Sequence, residues 1–408
     1  MNSRERVRAS LAFREPDRVP LDLGGSDSSG IAAAAYAQLK HHLGIPGPVR
    51  VHDVAQMLAS VEDSVRERLG IDVVGLPGFS AGWGEHWNVR NGGDYSAWTL
   101  PGGQEVYVPS SMRTRTEKDG TTFLLGLSGQ PVARMPGGGH YFDPLPDPVE
   151  ITVPQPEDFT LPAALDEQAM EYYYRTASNL YDNSEYAILG APVGYGLFNL
   201  SAGGLENWLC AILSDPERVG AILDRAVECN IPVIEMYNQA AGKYVEAVIF
   251  SDDLGTQHGE WLAPDVFKEI FAPRYKRLFD WIHANTDLKV FFHCCGSIPN
   301  LIETLIDCGV DILNPVQTSA VGMDPTELKR RFGGRVVFWG GGVDTQQVLP
   351  GASLDQLEAH VAERIAIFAP GGGYVFNPIH NIQAGISPER VVACFDAARS
   401  HGGYPVAV

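Results

Sequence analysis

The sequence predicts an α/β protein, a (β/α)8 barrel of the TIM type carrying a β-rich insertion. Three observations predict it. Short apolar runs alternate with amphipathic helical stretches through most of the chain. Several of these runs are almost continuously apolar, as strands covered on both faces must be. No Gly-x-Gly-x-x-Gly run opens a helix, which favours a closed barrel over a doubly wound sheet. The 408 residues suit one barrel domain over residues 1–408, with the insertion at about 80–150.

The candidate strands, in order, are Arg18–Leu23, Val73–Leu76, Tyr186–Ala191, Ala247–Ser251, Lys289–His293, Asp311–Asn314, Val336–Trp339 and Tyr374–Asn377. From about residue 244 the repeat is regular. The last five strands are each followed by a helical pattern, near Pro264–Asn285, Ile298–Cys308, Pro325–Phe332, Leu354–Phe368 and Pro388–His401. Residues 80–150 break the rhythm. They hold Trp83, Trp87 and Trp98, many glycines, and strand-like stretches at Glu105–Pro109 and Thr121–Leu125. Asp119-Gly120 is a hairpin turn signal. This segment reads as a β-rich insertion, either a packing cover or a lid over the barrel mouth. The Pro- and acid-rich stretch Pro144–Pro162 reads as a linker into the second half.

The formal net charge of −20 argues against nucleic acid or an anionic membrane as partner. The six cysteines, Cys210, Cys229, Cys294, Cys295, Cys308 and Cys394, form no secreted-type framework. Reduced thiols in a cytoplasm are expected. No apolar signal core follows the charged N-terminus, and no run approaches the length of a membrane span.

The chemistry-bearing residues lie where strands end, the position at which barrel enzymes build their active sites. Phe291-Phe292-His293-Cys294-Cys295-Gly296 is the strongest such run. Alternation places His293 and Cys295 on one face and Cys294 on the other. Imidazole and thiolate are both good zinc ligands, so His293 and Cys295 make a candidate metal pair. A buried histidine beside two buried cysteines is the competing reading. Asn377-Pro378-Ile379-His380-Asn381-Ile382-Gln383 follows the last strand, and His380 is either a third ligand or a hydrogen-bonded loop histidine. Asp252 and Asp253 end the Ala247–Ser251 strand as candidate catalytic carboxylates, one of which is expected only to cap a turn. Asn314, Gln317, Asp344, Asn381 and Gln383 are candidate substrate contacts. Asp22-Leu23-Gly24-Gly25-Ser26-Asp27 and Gly190-Ala191-Pro192-Val193-Gly194-Tyr195 end earlier strands, and core packing is the role assigned to both. The absence of a Gly-x-Ser-x-Gly elbow lowers the case for an acyl-transfer hydrolase.

Taken in order, Asp252-Asp253-Leu254-Gly255, His293-Cys294-Cys295-Gly296, Asp311-Ile312-Leu313-Asn314-Pro315-Val316-Gln317, Trp339-Gly340-Gly341 and His380-Asn381-Ile382-Gln383 resemble the uroporphyrinogen decarboxylase superfamily. The resemblance is densest from Ser251 to Tyr404 and implies a (β/α)8 barrel. The decarboxylase branch carries paired arginines after a Val-Pro. Here Val19-Pro20 leads into Leu21-Asp22-Leu23-Gly24-Gly25-Ser26-Asp27 with no arginine, so a tetra-carboxylate would be poorly held. The methyltransferase branch uses a His-x-Cys pair and a later Cys as zinc ligands. His293 and Cys295 match the pair, and His380 stands near the third position in place of Cys.

What the resemblance implies is a zinc-dependent methyltransferase of the O-demethylase kind. It would move a methyl group from a small methoxy-type donor to cobalamin on a separate corrinoid protein, with a homodimer as an admissible assembly. A metal-free decarboxylase of a small carboxylic acid and a non-catalytic barrel subunit are the alternatives.

Overall fold

The computed structural model describes residues 1–78, 94–126, 128–145, 152–190 and 193–406. Five parallel strands run side by side in chain order: Ala247–Ser251, Lys289–His293, Ile312–Asn314, Val337–Trp339 and Tyr374–Val375. A second parallel pair joins Val73–Gly75 to Ala187–Leu189. The Glu246 amide donates to the Ile188 carbonyl at 2.9 Å, tying this pair to the five.

The ring closes through the N-terminal segment. Leu21 bridges Phe376 in parallel. The Phe376 amide donates to Pro20 (2.9 Å) and the Asp22 amide to Phe376 (2.8 Å). On the other side the Asp72 amide donates to Leu21 (2.8 Å). Eight segments therefore form a closed (β/α)8 barrel. The expected first strand, Arg18–Leu23, makes only single bridges, to Gly403 and Phe376.

The two-residue alternation of strands sorts the core. Val73, Ala187, Leu189, Ala247, Ile249, Phe291, Ile312, Val337, Trp339 and Val375 fill the barrel interior. Phe291 and Trp339 meet edge-to-face there, 5.5 Å between ring centroids. The intervening residues, such as Val248, Phe250, Val290, Phe292, Leu313 and Phe338, face the surrounding helices. Continuously apolar strands are what this double burial demands.

Helix Leu354–Phe368 shows the matching logic outside the barrel. A Ser353–Gln356 capping box starts it, and Leu357, Val361, Ile365 and Phe368 bury one stripe. Helix Ser3–Leu11 sends Val7 and Leu11 into the interior cluster and so plugs the bottom of the barrel.

The β-rich segment lies in the chain between the second and third barrel strands. Tyr95–Thr99 pairs antiparallel with Glu105–Pro109. Thr114–Thr116, Thr122–Leu125, Pro131–Met135 and Asp143–Pro144 form an antiparallel meander. Gly120 takes the left-handed φ (86°) that the turn after Asp119 requires. Trp83 and Trp87 lie outside the described residues, as do residues 146–151 of the expected linker and Ala191-Pro192 of the Gly190–Tyr195 run. A short hairpin that the sequence did not announce, Val51–Asp53 with Leu58–Ala59, bridges to the β-rich segment through Arg50 and Tyr107.

Candidate metal centre at the barrel mouth

Strand Lys289–His293 ends at His293, and its register places Ser251, His293 and Asn314 side by side across three strands. These three continue the inward-facing rows of Ile249, Phe291 and Ile312, so their side chains rise from the barrel interior into the mouth. Immediately beyond, Gly296 has φ 90°, and a Cβ there would lie 2.4 Å from the Gly255 carbonyl oxygen. Only glycine lets the two loops pass this closely.

His293, Cys295 and His380 come together. One ligand atom from each lies within 4.8 Å of the other two. His293 Nε2 stands 3.4 Å from Cys295 Sγ, and the two imidazole rings are 6.0 Å apart at 66°. Ligands 2.0–2.3 Å from a tetrahedral zinc lie roughly 3.3–3.8 Å from one another. The three donors are thus near the spacing that zinc needs.

Asn314 prepares this arrangement. Its Nδ2 donates to the Trp339 carbonyl at 2.8 Å, which fixes the amide so that Oδ1 faces the other way. Oδ1 then accepts from His293 Nδ1 (2.6 Å) and from the Ser28 hydroxyl (2.8 Å). With Nδ1 holding the proton, His293 Nε2 turns a lone pair toward Cys295 and His380. Asn314, expected as a substrate contact, instead orients His293, because it is fully buried and its amide is engaged on both sides.

The two aspartates separate. Asp253 accepts the Cys295 amide at 3.0 Å and lies 3.8 Å from His293 Nε2, half exposed at the open side of the cluster. Asp252, expected beside it as a catalytic group, is fully buried. It accepts from the Tyr275 hydroxyl, the Leu197 amide (2.7 Å) and the Asn199 amide (2.6 Å). Burial pushes its carboxyl up to about 7, against the pull of those donors. Asp252 anchors the loop after the third strand and does not join the cluster.

Gln317 accepts the Gly296 amide (2.7 Å) and donates to Gln257 (2.8 Å), bracing the loop that carries Cys295. Asn381 donates to Gln56 (2.9 Å) and accepts from Gln383. Asp344 caps its own turn through the Gln346 and Gln347 amides and stands apart from the cluster.

Burial, then the charge of Asp253, drives the Cys295 thiol far above its ordinary range. Burial, then the charge of His293, lowers His380. Both shifts favour neutral, metal-free side chains, and a bound cation is what would draw the proton off the thiol. Cys294 points away, buried, with Sγ accepting the Leu254 amide at 3.3 Å.

The N-terminal half supplies residues that sequence reasoning missed. Ser28 holds Asn314, and Asp22 accepts the Trp339 indole N–H at 2.8 Å. His52 Nε2 sits 3.2 Å from Asp27 Oδ1. Burial opposes both charges, yet the hydrogen bond and mutual attraction win: Asp27 is held below its usual range, helped by the charge of His293, and His52 is raised. The only signal for these residues was the Gly- and Ser-rich end of the first strand, assigned above to packing. Nothing pointed to His52.

The profile of the uroporphyrinogen decarboxylase (URO-D) family matches residues 141–401, well over half of the chain. The chain belongs to this family. Two curated relatives, both described as uroporphyrinogen decarboxylase, align in part. The protein of Thioalkalivibrio sulfidiphilus is 33% identical over 101 residues, covering 25% of this chain and 27% of the relative. That of Saccharophagus degradans is 25% identical over 211 residues, covering 50% and 55%. Neither match spans two thirds of the relative. A solved methyltransferase from Methanosarcina mazei superposes over 98% of this chain and 99% of its own, with a TM-score of 0.59 and 16% identity. That likeness establishes the fold. No described helix is long and apolar enough to cross a membrane.

Proposed function

We propose that this family member is a zinc-dependent methyltransferase that moves a methyl group from a small methoxy-type compound to a corrinoid protein. The observation that carries the reading is the convergence of His293 Nε2, Cys295 Sγ and His380, with the His293 lone pair directed by Asn314.

One thiolate and two neutral imidazoles would hold zinc at a net charge of about +1, and the metal would supply Lewis acidity toward the departing oxygen. His293 is held in one tautomer by Asn314. Cys295 is positioned by the hydrogen bond from its amide to Asp253 and by Gln317 bracing Gly296. Asp253 stands at the open side, where its carboxylate can hold or hand over a proton beside the bound substrate. Gln383 is exposed and offers its amide oxygen at the rim, while Gln317 and Asn381 have both ends of their amides engaged within the protein. The corrinoid protein would approach along the same open side.

The test is elemental analysis of the purified protein and of C295A, followed by methyl transfer from 2-methoxyphenol to cob(I)alamin. About one zinc per chain, lost in C295A together with transfer, is the expected result. Zinc content unaffected by removing Cys295, or transfer that survives without zinc, overturns the reading.

A further inference from the structure

The mouth contains a polar atom that the site described so far does not use. Asn377 continues the inward-facing row of Val375, while Tyr374 and Phe376 belong to the outer packing layer. Its side chain is fully buried. Nδ2 donates to the Pro378 carbonyl at 2.6 Å, which fixes the orientation of the amide. Oδ1 then has no hydrogen-bond partner among the described residues. A buried carbonyl oxygen without a donor is costly and rare. This one lies three residues before His380, inside the barrel.

The surroundings limit what can satisfy it. Asp27 and Asp253 are carboxylates associated with histidines, and Asp53 is engaged by Gln56. None of the three pairs with a lysine or arginine among the described residues. Apart from the metal itself, no described lysine or arginine is paired with these acceptors to receive a ligand carboxylate.

We infer that Asn377 Oδ1 is a substrate-binding acceptor, and that the ligand is a methylated compound without a carboxylate that presents a hydroxyl or amide N–H donor into the barrel. This rests on the methyl-transfer reading for the methyl group alone. The donor requirement comes from Asn377 and the exclusion of anions from the carboxylates. A ligand donor repairs the unsatisfied oxygen, so an analogue that lacks it should be rejected.

The experiment is calorimetric titration of the zinc-loaded protein with three probes: 2-methoxyphenol, 1,2-dimethoxybenzene and 4-hydroxy-3-methoxybenzoate. The expected order is 2-methoxyphenol tightest. Dimethoxybenzene, which lacks the donor, should be roughly tenfold weaker, and the carboxylated probe weaker than 2-methoxyphenol. N377L should weaken 2-methoxyphenol to the level of dimethoxybenzene and leave dimethoxybenzene unchanged. Equal binding of the first two probes to the unaltered protein overturns the proposal, whether or not N377L folds. So does tighter binding of the carboxylated probe, or no binding of 2-methoxyphenol by zinc-loaded protein. A chain that takes up no zinc fails the methyl-transfer reading instead, and metal analysis of the same sample separates the two failures.

Discussion

The two ends of the barrel treat charge in opposite ways. At the bottom, Asp72 precedes the second strand with a fully buried carboxylate. It receives Arg6 (2.6 Å), Arg18 (2.7 Å), the Ser3 hydroxyl (2.8 Å) and the Leu21 amide (2.9 Å). The buried charge there meets opposite partners, and the plug helix is clamped by it. At the mouth, Asp253 faces a histidine, Asp27 another, and Asn377 Oδ1 nothing among the described residues. A closed network at one end and unfinished valences at the other divide the molecule into a part that holds and a part that binds.

Removing Asp72 should test the holding end most severely. D72A leaves the buried Arg6 guanidinium with only the half-exposed Asp17 as counter-charge, strips Arg18 of its carboxylate, and frees the plug helix from Asp72. Loss of about 3–5 kcal/mol of unfolding free energy is expected in urea titration, with zinc content per folded chain unchanged. Equal stability would show that the bottom network is not a clamp. H293A at the other end should do the reverse. Zinc binding should fall at least about a hundredfold, measured by chelator competition, while the urea midpoint moves little.

Asn314 lies where the halves meet and sharpens the contrast. N314L removes the acceptor that sets the His293 tautomer and should lower zinc affinity about 10- to 100-fold. Zinc affinity equal to that of the unaltered protein would mean that His293 is oriented by packing alone.

A smaller signature comes from pH. Burial raises Asp22 to about 6 and Asp252 to about 7. In the folded chain both keep protons that the unfolded chain has released above about pH 4. Unfolding therefore releases protons, and each group subtracts stability as pH climbs from about 4 through 6 or 7, by at most about 1.4 kcal/mol per pH unit. D252N should flatten that slope in urea titrations at about pH 5, 6 and 7. An unchanged slope would assign it to other groups.

How much of this the sequence disclosed follows the same division. The strands from Ala247 to Val375 were readable because each is apolar on both faces and each is followed by its own helix. His293 was readable because strand alternation fixes where it points; Cys295 lies two residues past the strand end, where Asp253 and Gln317 hold its loop. The N-terminal half was harder. Its first strand makes single bridges, its second and third span three residues each, and the β-rich segment separates them. The residues it lends to the mouth come from turns, where no period announces direction. Asp252 and Asp253 are adjacent and identical in type, and only tertiary partners, Tyr275 and Cys295, separate the buried one from the half-exposed one.

Ser28 gives the finest test of how the two halves are joined. Its hydroxyl donates to the same Asn314 oxygen that accepts His293 Nδ1. In S28A that oxygen keeps its histidine and loses one neutral hydrogen bond, a change of about 0.5–1.5 kcal/mol. The shift belongs to Asn314 and is passed on only in part to the metal ligand. Zinc affinity should therefore fall by no more than about tenfold, less than in N314L, and the double variant S28A/N314L should bind zinc no worse than N314L alone. Additive losses in the double variant would mean that Ser28 acts on the cluster by a route other than Asn314, and the N-terminal segment would then be part of the site in its own right.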